Sequence, residues 1–354
     1  MKLIELHILQ SFPVTCLNRD DVGSPKSATF GGSQRARVSS QSLKRAARIH
    51  LSQELKDPRF GGIRTRYLVF WIETELNDNA VGEDSKRKEI AEEVAKYLNK
   101  DLDSEDKRRV KTALFFSPLQ IKAIVLAIGQ QLATKGKLDI KAACAAGKAI
   151  PEDALDVALF GRMVASGPEL TLEASTMFSH ALSSHQTSNE IDFFAAVDEK
   201  LPDDMPVGAA HTGTLEYNSA TYYRYVAINL DMLFDAKHLG PISEQEKRKS
   251  LLRAFITSVL IAVPGARQNS MNGATLPIEV LGIRKEKGLP LQLINAFEKP
   301  IKASNNGYAV NSRKEMLQHH ADLKDLWSIE TAVESLLTED KLEGFLTKLL
   351  TADV

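Results

Sequence analysis

The stretch GGSQRARVSSQSLKRAAR, residues 31–48, carries five basic side chains (Arg35, Arg37, Lys44, Arg45 and Arg48) and no acid. RARVS alternates, so Arg35 and Arg37 share one face of an extended segment while Ala36 and Val38 share the other. Ser39 or Ser40 then supplies an N-cap for QSLKRAARIHLSQEL, a helix whose Leu43, Ala46, Ala47, Leu51 and Leu55 form an apolar stripe. Lys44 and Arg48, at i and i+4, stand side by side with Arg45 next to them. A strand, a capped helix start and three cations near the first turns suit a phosphate, because helix-terminal N–H groups and cations attract it together. A solvated basic face is the plainer alternative.

The surplus of positive charge is local. Residues 31–66 hold nine basic against two acidic side chains, in a chain with 45 Lys+Arg against 46 Asp+Glu. A segregated cation patch on a neutral protein points to a polyanion met on one face only. Just upstream, CLNRDDVGSPKSATFGG (16–32) reads as a turn-rich loop that adds Arg19 and Lys26, with Gly31-Gly32 as a hinge. Asp20 and Asp21 in that loop either hold a metal ion for phosphoryl chemistry or cap a turn beside the arginines.

Composition narrows the class. With 354 residues, 43% hydrophobic and 26% charged, the chain has the make-up of an ordinary globular protein with room for one large domain or several small ones. No apolar run approaches the ~20 residues that span a bilayer, so a cytoplasmic protein without membrane contact is expected. Cys16 and Cys144 are the only cysteines and lie outside any CxxC pattern, so neither a disulfide framework nor a zinc site is expected. No GxSxG, GxxxxGK[ST] or HExxH motif occurs, and His180 and His185 are five apart, off same-face helical spacing.

Coarse patterning gives the elements. LIELHIL (3–9) alternates Ile4, Leu6 and Ile8 with Glu5 and His7, as a half-buried strand does. SKRKEIAEEVAKYLNK and SPLQIKAIVLAIGQQLA predict helices, the first with Ile90, Val94 and Leu98 on one face. DVALFGRM, YYRYVAINLDMLF and LPIEVLGIR read as strands, and TEDKLEGFLTKLL as a capped amphipathic helix.

The segment CLNRDDVGSPKSATFGGSQRARVSSQSLKRAAR resembles the signature of the backbone (CasC-type) subunit of the type I-E CRISPR Cascade surveillance complex. LDVALFGRMVASG, SHALSSHQTSNEIDFFAAVDE, GTLEYNSATYYRYVAINL, VPGARQ and INAFEKPIKA agree with that family in the same order. The resemblance implies an α+β fold, an RNA-recognition-motif-like (ferredoxin-like) palm with an inserted helical fingers region and an extended thumb hairpin. On this sequence it divides into 1–55 (palm, with the basic cradle), 56–152 (fingers), 153–186 (return to the palm), 187–221 (thumb) and 222–354 (second part of the palm and C-terminal helices).

The resemblance also implies roles residue by residue. Arg19, Lys26, Ser40, Gln41, Lys44, Arg45 and Arg48 would contact phosphates and sugars of a guide RNA. Met163 matches an apolar wedge beside a displaced nucleotide, although a lone methionine also suits a core. Phe193 and Phe194 fall on the aromatic positions of the thumb, where one family member has Trp first; Phe stacks on a base but lacks the indole N–H. The implied protein is not an enzyme and takes no metal or cofactor. It polymerises head-to-tail along CRISPR guide RNA, flips out nucleotides at regular intervals and supports pairing with target DNA. Its partners would be copies of itself, other Cascade subunits and a nuclease-helicase recruited to the assembled complex. Two alternatives remain open: a metal-dependent ribonuclease backbone subunit of type III-like complexes, and a stand-alone single-strand RNA-binding protein.

Overall fold

The computed structural model describes residues 1–55, 60–135, 137–147, 155–164, 170–197, 209–236, 238–240, 242–265 and 267–351. In chain order the first elements are β1 (Leu3–Thr15), β2 (Ser27–Phe30), β3 (Ser33–Val38) and α1 (Ser40–Leu55). Next come β4 (Ile63–Thr65), α2 (Leu68–Asp78), α3 (Asp84–Asn99), β5 (Leu114–Phe116), α4 (Pro118–Lys135), α5 (Ile140–Ala146) and α6 (Leu155–Phe160). The middle of the chain holds β6 (Thr176–Phe178), β7 (Ala181–Ser183), β8 (Glu190–Val197), β9 (Ala209–Asn229), α7 (Leu230–Leu233) and α8 (Gln245–Ile261). The last elements are α9 (Gln268–Met271), β10 (Glu279–Lys285), α10 (Ala309–Leu326), β11 (Val333–Leu336) and α11 (Leu337–Leu349). The class is α+β, with an antiparallel sheet, and the chain forms two compact units.

Among the described residues, one unit comprises 1–50, 178–227 and 251–351. Its strands run in the order β11-β10-β1-β9-β7-β3-β2, with β6 and β8 also pairing β9. The registers of β1 with β10, β10 with β11, β3 with β7 and β7 with β9 are all antiparallel. β1 is buried on both faces from Leu3 to Gln10, not half-buried as its alternation suggests. Glu5 and His7 find partners within the fold, although His7 Nε2 has no hydrogen-bond partner among the described residues. Lys285 Nζ lies 2.5 Å from Glu5 Oε2, while Tyr225 Oη and the Leu291 N–H each donate to Glu5 Oε1 at 2.7 Å. Tyr223 Oη accepts from the Leu293 N–H (2.8 Å), so its own proton points to His7 Nδ1 at 2.9 Å. Burial, with His320 and Lys285 nearby, holds the His7 imidazole well below its usual pKa and fits this acceptor role.

The other unit comprises residues 51–177 and 228–250. Its core joins Leu68, Val69, Ile72 and Leu76 of α2 to Ile90, Val94 and Leu98 of α3 and to Ile121, Ile124 and Ile128 of α4. Each such side chain contributes about 1.5–3 kcal/mol by leaving water, so the 3.6-residue periodicity of these segments becomes helix packing as expected. DVALFGRM is corrected: Leu155–Phe160 is a helix, not a strand. A four-residue apolar run, Val157–Phe160, fits either period. The Asp156 carboxylate accepts from the Gly62 and Val157 N–H groups, and Gly161 at φ +77° ends the turn. TEDKLEGFLTKLL is helical with Phe345, Leu346 and Leu349 buried, but no side chain caps it and Lys341 (φ 54°, ψ 168°) kinks it.

Candidate nucleic-acid interface

The basic hairpin is pinned at both ends. β2 pairs with β3 from Ser27↔Ala36 to Phe30↔Ser33, leaving Gly31 and Gly32 as a two-residue loop with φ of +57° and +71°. Two successive positive φ values make the turn whose twist matches a tight hairpin, and glycine adopts it without steric cost. The pair is therefore a turn and not a hinge. Gly31 also presses on Glu298, where a Cβ would stand 1.7 Å from the carbonyl oxygen.

Arg35, which alternation places among the surface cations, is fully buried. Its Nη1 donates to Ser183 O at 2.9 Å, and Nη2 donates to Phe297 O (2.8 Å) and Glu298 O (3.1 Å). Its Nε donates to Ser33 Oγ at 3.0 Å. The guanidinium thus serves three backbone carbonyls of the fold. Arg37, two residues on, is only half-buried, with Nε on Ser27 O at 3.3 Å.

The loop before the hairpin is ordered by its own polar groups. Asp20 Oδ1 accepts from the Val22 and Ser24 N–H groups, and the Asp20 N–H donates to Ser24 O, so Asp20 builds a turn. Lys26 N–H donates to Asn18 O, and Asn18 Oδ1 accepts from the Ser39 N–H at the mouth of α1. Ser39 is the cap, its Oγ accepting from the Ser42 N–H at 3.3 Å. The Ser40 N–H donates to His180 Nδ1 at 2.9 Å, so part of the helix start is occupied from within.

These anchors leave a cluster of cations facing out. Arg19 and Arg45 are exposed and Lys26 is half-buried, and none of the three side chains makes an ion pair among the described residues. Lys44 places its ammonium 5.6 Å from the centre of the Phe178 ring, and partial burial lowers its pKa. Gln41 is exposed, and Ser40 and Arg48 are half-buried on the same helix. His180 sits among these charges: burial, then Arg37 and Lys26, lower its pKa and keep it neutral. No local signal in the sequence places His180 here, since helical spacing does not apply to two histidines that fall on either side of β7.

Met163 belongs to the helical unit and is 82% exposed, so it is not a core residue. Its neighbours Arg162 and Val164 are buried. Arg162 donates through Nε to Leu170 O (2.8 Å) and through Nη1 to Gln120 Oε1 (2.7 Å), and its guanidinium lies 4.7 Å from the Phe116 ring centre. An anchor on each side turns the thioether outward.

Phe193 and Phe194 lie on the ribbon that β8 forms with β9, in register Phe193↔Thr214 and Phe194↔Gly213. Consecutive strand residues face opposite sides. Phe193 is 80% exposed, whereas the Phe194 ring lies over Gly213, where a Cβ would come within 2.5 Å of it. Neither is a core residue. Residues 198–208 of the expected thumb lie outside the described residues, as do Lys56 and Arg59 of the basic window.

Fold and surface together define an α+β protein with a local cationic face and an extended, aromatic-bearing ribbon. Over residues 4–351 the chain matches the CT1975-like protein family, and it belongs to that family. It is similar to a chain in a solved "CRISPR RNA-guided surveillance complex, pre-nicking", with 28% identity and a TM-score of 0.77 over 93% of this chain and 90% of that one. A chain of another "CRISPR RNA-guided surveillance complex" shares the fold, at 23% identity and a TM-score of 0.60 over 94% and 88% of the two chains. No curated protein matches.

Proposed function

We propose that this chain is the guide-RNA-binding backbone subunit of a Cascade-type CRISPR surveillance complex, of the type I-E kind. The likeness to a surveillance-complex chain along 93% of the sequence carries the reading, and the outward cations Arg19, Lys26 and Arg45 agree with it. In this reading the sheet around β1 is an RNA-recognition-type palm. Its order β10-β1-β9-β7, with α1 after β1 and α8 between β9 and β10, suits that topology. Arg19, Lys26, Ser40, Gln41, Lys44, Arg45 and Arg48 hold phosphates and sugars, which requires no base preference. Met163 and the β8–β9 thumb displace nucleotides at intervals, and copies pack head-to-tail along the guide. Target DNA is read by base pairing, and a separate nuclease-helicase does any cutting. Asp20 spends its carboxylate on a turn, which favours a non-catalytic subunit over the ribonuclease alternative.

Lys44→Ala with Arg48→Ala tests the cradle. The expected result is weaker guide binding, equal for all spacer sequences, with the log–log salt dependence flattened by roughly 0.7 for each phosphate no longer held. An unchanged slope, or a loss confined to particular sequences, would contradict backbone recognition there.

The thumb has its own test. A core Phe→Ala costs about 3–5 kcal/mol, but Phe193 is exposed and Phe194 lies over a glycine at the edge of a ribbon. Phe193→Ala/Phe194→Ala is therefore expected to leave the melting temperature nearly unchanged. The same variant should lose footprint protection at regularly spaced guide nucleotides and bind target DNA more weakly. A sharp drop in melting temperature with an unaltered footprint would contradict the thumb role.

A further inference from the structure

The ribbon of β8 and β9 stands out from the sheet, and its direction is decided at its root. Every residue of β8 from Glu190 to Ala195 is exposed, so packing does not hold this stretch. A two-stranded ribbon in water is only marginally stable, and it keeps one direction only where both strands are held. β9 is held because it runs on into the sheet, where it is buried from Ala220 to Ile228 and pairs with β7 at Tyr222 and Tyr223. β8 has no such continuation, and the chain enters it directly from the segment that follows β7.

That segment is stitched to the cationic hairpin and to the loop before it. The Thr187 N–H donates to Gln34 O at 3.1 Å, and Thr187 Oγ1 accepts from the Ala36 N–H at 2.9 Å. Asn189, the last residue before β8, is half-buried and uses its whole amide. Its Nδ2 donates to Glu216 Oε2 of β9 (3.0 Å) and to Pro25 O (3.4 Å), while its Oδ1 accepts from Asn218 Nδ2 (3.2 Å). Asn218 is itself buried and accepts from Tyr222 Oη at 3.3 Å. Pro25 lies opposite Arg19 in an isolated bridge and directly precedes Lys26. Only an amide of this length offers two hydrogens and an acceptor here: aspartate has no donor, and glutamine reaches a methylene too far. All of these residues belong to the unit that holds 1–50 and 178–227.

We propose that Asn189 is a positioning residue, tying the root of the thumb to Pro25 so that Phe193 and the outward cations Arg19 and Lys26 keep a fixed spacing. The proposal rests on the guide-RNA reading for the use of that spacing, and adds the side chain that sets it. A guide held by its phosphates is then displaced at a defined nucleotide rather than over a range of them.

The spacing is read in the free chain by pulsed electron paramagnetic resonance between nitroxides on Val22→Cys and Thr212→Cys. Both positions are exposed, one on the loop and one on the ribbon, and the native Cys16 and Cys144 are buried. Asn189→Asp keeps the shape, removes both donations and sets a carboxylate against Glu216. Adding Glu216→Gln returns a donor to that contact within the ribbon, and with it any lost stability, but leaves Pro25 O without its partner. A narrow distance distribution is expected for the parent chain, and a broad one for both the single and the double variant. In the complex purified from cells carrying the native gene cluster, Asn189→Asp should bring down as much guide RNA as the parent, since the cations are untouched. It should lose the regularly spaced protection, in the pattern expected of Phe193→Ala/Phe194→Ala. A broad distribution in the parent, an unchanged one in Asn189→Asp, a narrow one restored by Glu216→Gln, or an intact footprint overturns the proposal. A broadened distribution in a protein that carries no guide RNA leaves the Asn189 tie in place and overturns the guide-RNA reading instead.

Discussion

Gly31→Ala is expected to be among the most damaging single-methyl additions in this chain. The added carbon would lie 1.7 Å from Glu298 O, about half a normal contact distance, and the obstacle is backbone rather than a flexible side-chain end. The turn must also hold φ +57°, which costs alanine about 1 kcal/mol even in open space. Overpacking adds about 1–3 kcal/mol, so a loss of roughly 2–4 kcal/mol follows, or about 10 °C in Tm for a unit of this size. Gly32→Ala is the control. Its φ of +71° is similar, but no atom lies within 4 Å of the place its Cβ would take, so only the conformational cost of about 1 kcal/mol remains. Thermal melts of the two variants compare clash with conformation directly, and equal losses would contradict the close approach to Glu298.

Arg35→Met is the second large effect. Replacing a buried ion pair with apolar residues is often neutral, because both charges are removed together. Here the acceptors are the carbonyls of Ser183, Phe297 and Glu298, which no side-chain substitution can remove. Methionine fills most of the volume and leaves those three oxygens buried without their donor. Each deserted group costs about 1–3 kcal/mol, so a total of roughly 3–5 kcal/mol is expected. Arg35→Lys keeps the charge but loses the planar fork that reaches several carbonyls at once, and should recover less than half. RNA binding should fall with stability, although Arg35 itself is buried away from any ligand. A melt within about 1 kcal/mol of the wild type would show that the carbonyls find other donors.

Glu298 sits at the meeting point of both substitutions, and such distant partners mark the limit of what the sequence conveys. The strand RARV, the Ser39 cap and the helix after it are legible because each is decided by neighbours a few residues away. The helices α3 and α4 are legible for the same reason, whereas an extended hairpin at EIDFFAAV is expected from the family resemblance and not from local pattern. Arg35 is misplaced by local pattern because its partners are backbone carbonyls 148 to 263 residues away, and every residue type has a carbonyl. β1 looks half-buried in sequence because Glu5 and His7 find Lys285, Tyr225 and Tyr223 more than 200 residues later. In the C-terminal tail the local signal is confined to the helix of TEDKLEGFLTKLL. In the fold, β11 extends the sheet beyond β10, and Arg313 of α10 reaches Glu279 of β10 at 2.5 Å. Exposure is also beyond local pattern: Met163 and Phe193 are apolar residues that periodicity alone would bury.

If this chain holds guide RNA by its backbone as part of a surveillance complex, the RNA should travel with it. The most direct test is to purify the tagged protein from cells carrying its native gene cluster and to sequence the RNA that comes with it. Uniform, repeat-derived guides are predicted, with spacers that vary freely and flanks that do not. A chain that emerges without RNA, or with a mixture of cellular transcripts lacking repeat-derived ends, would contradict that role.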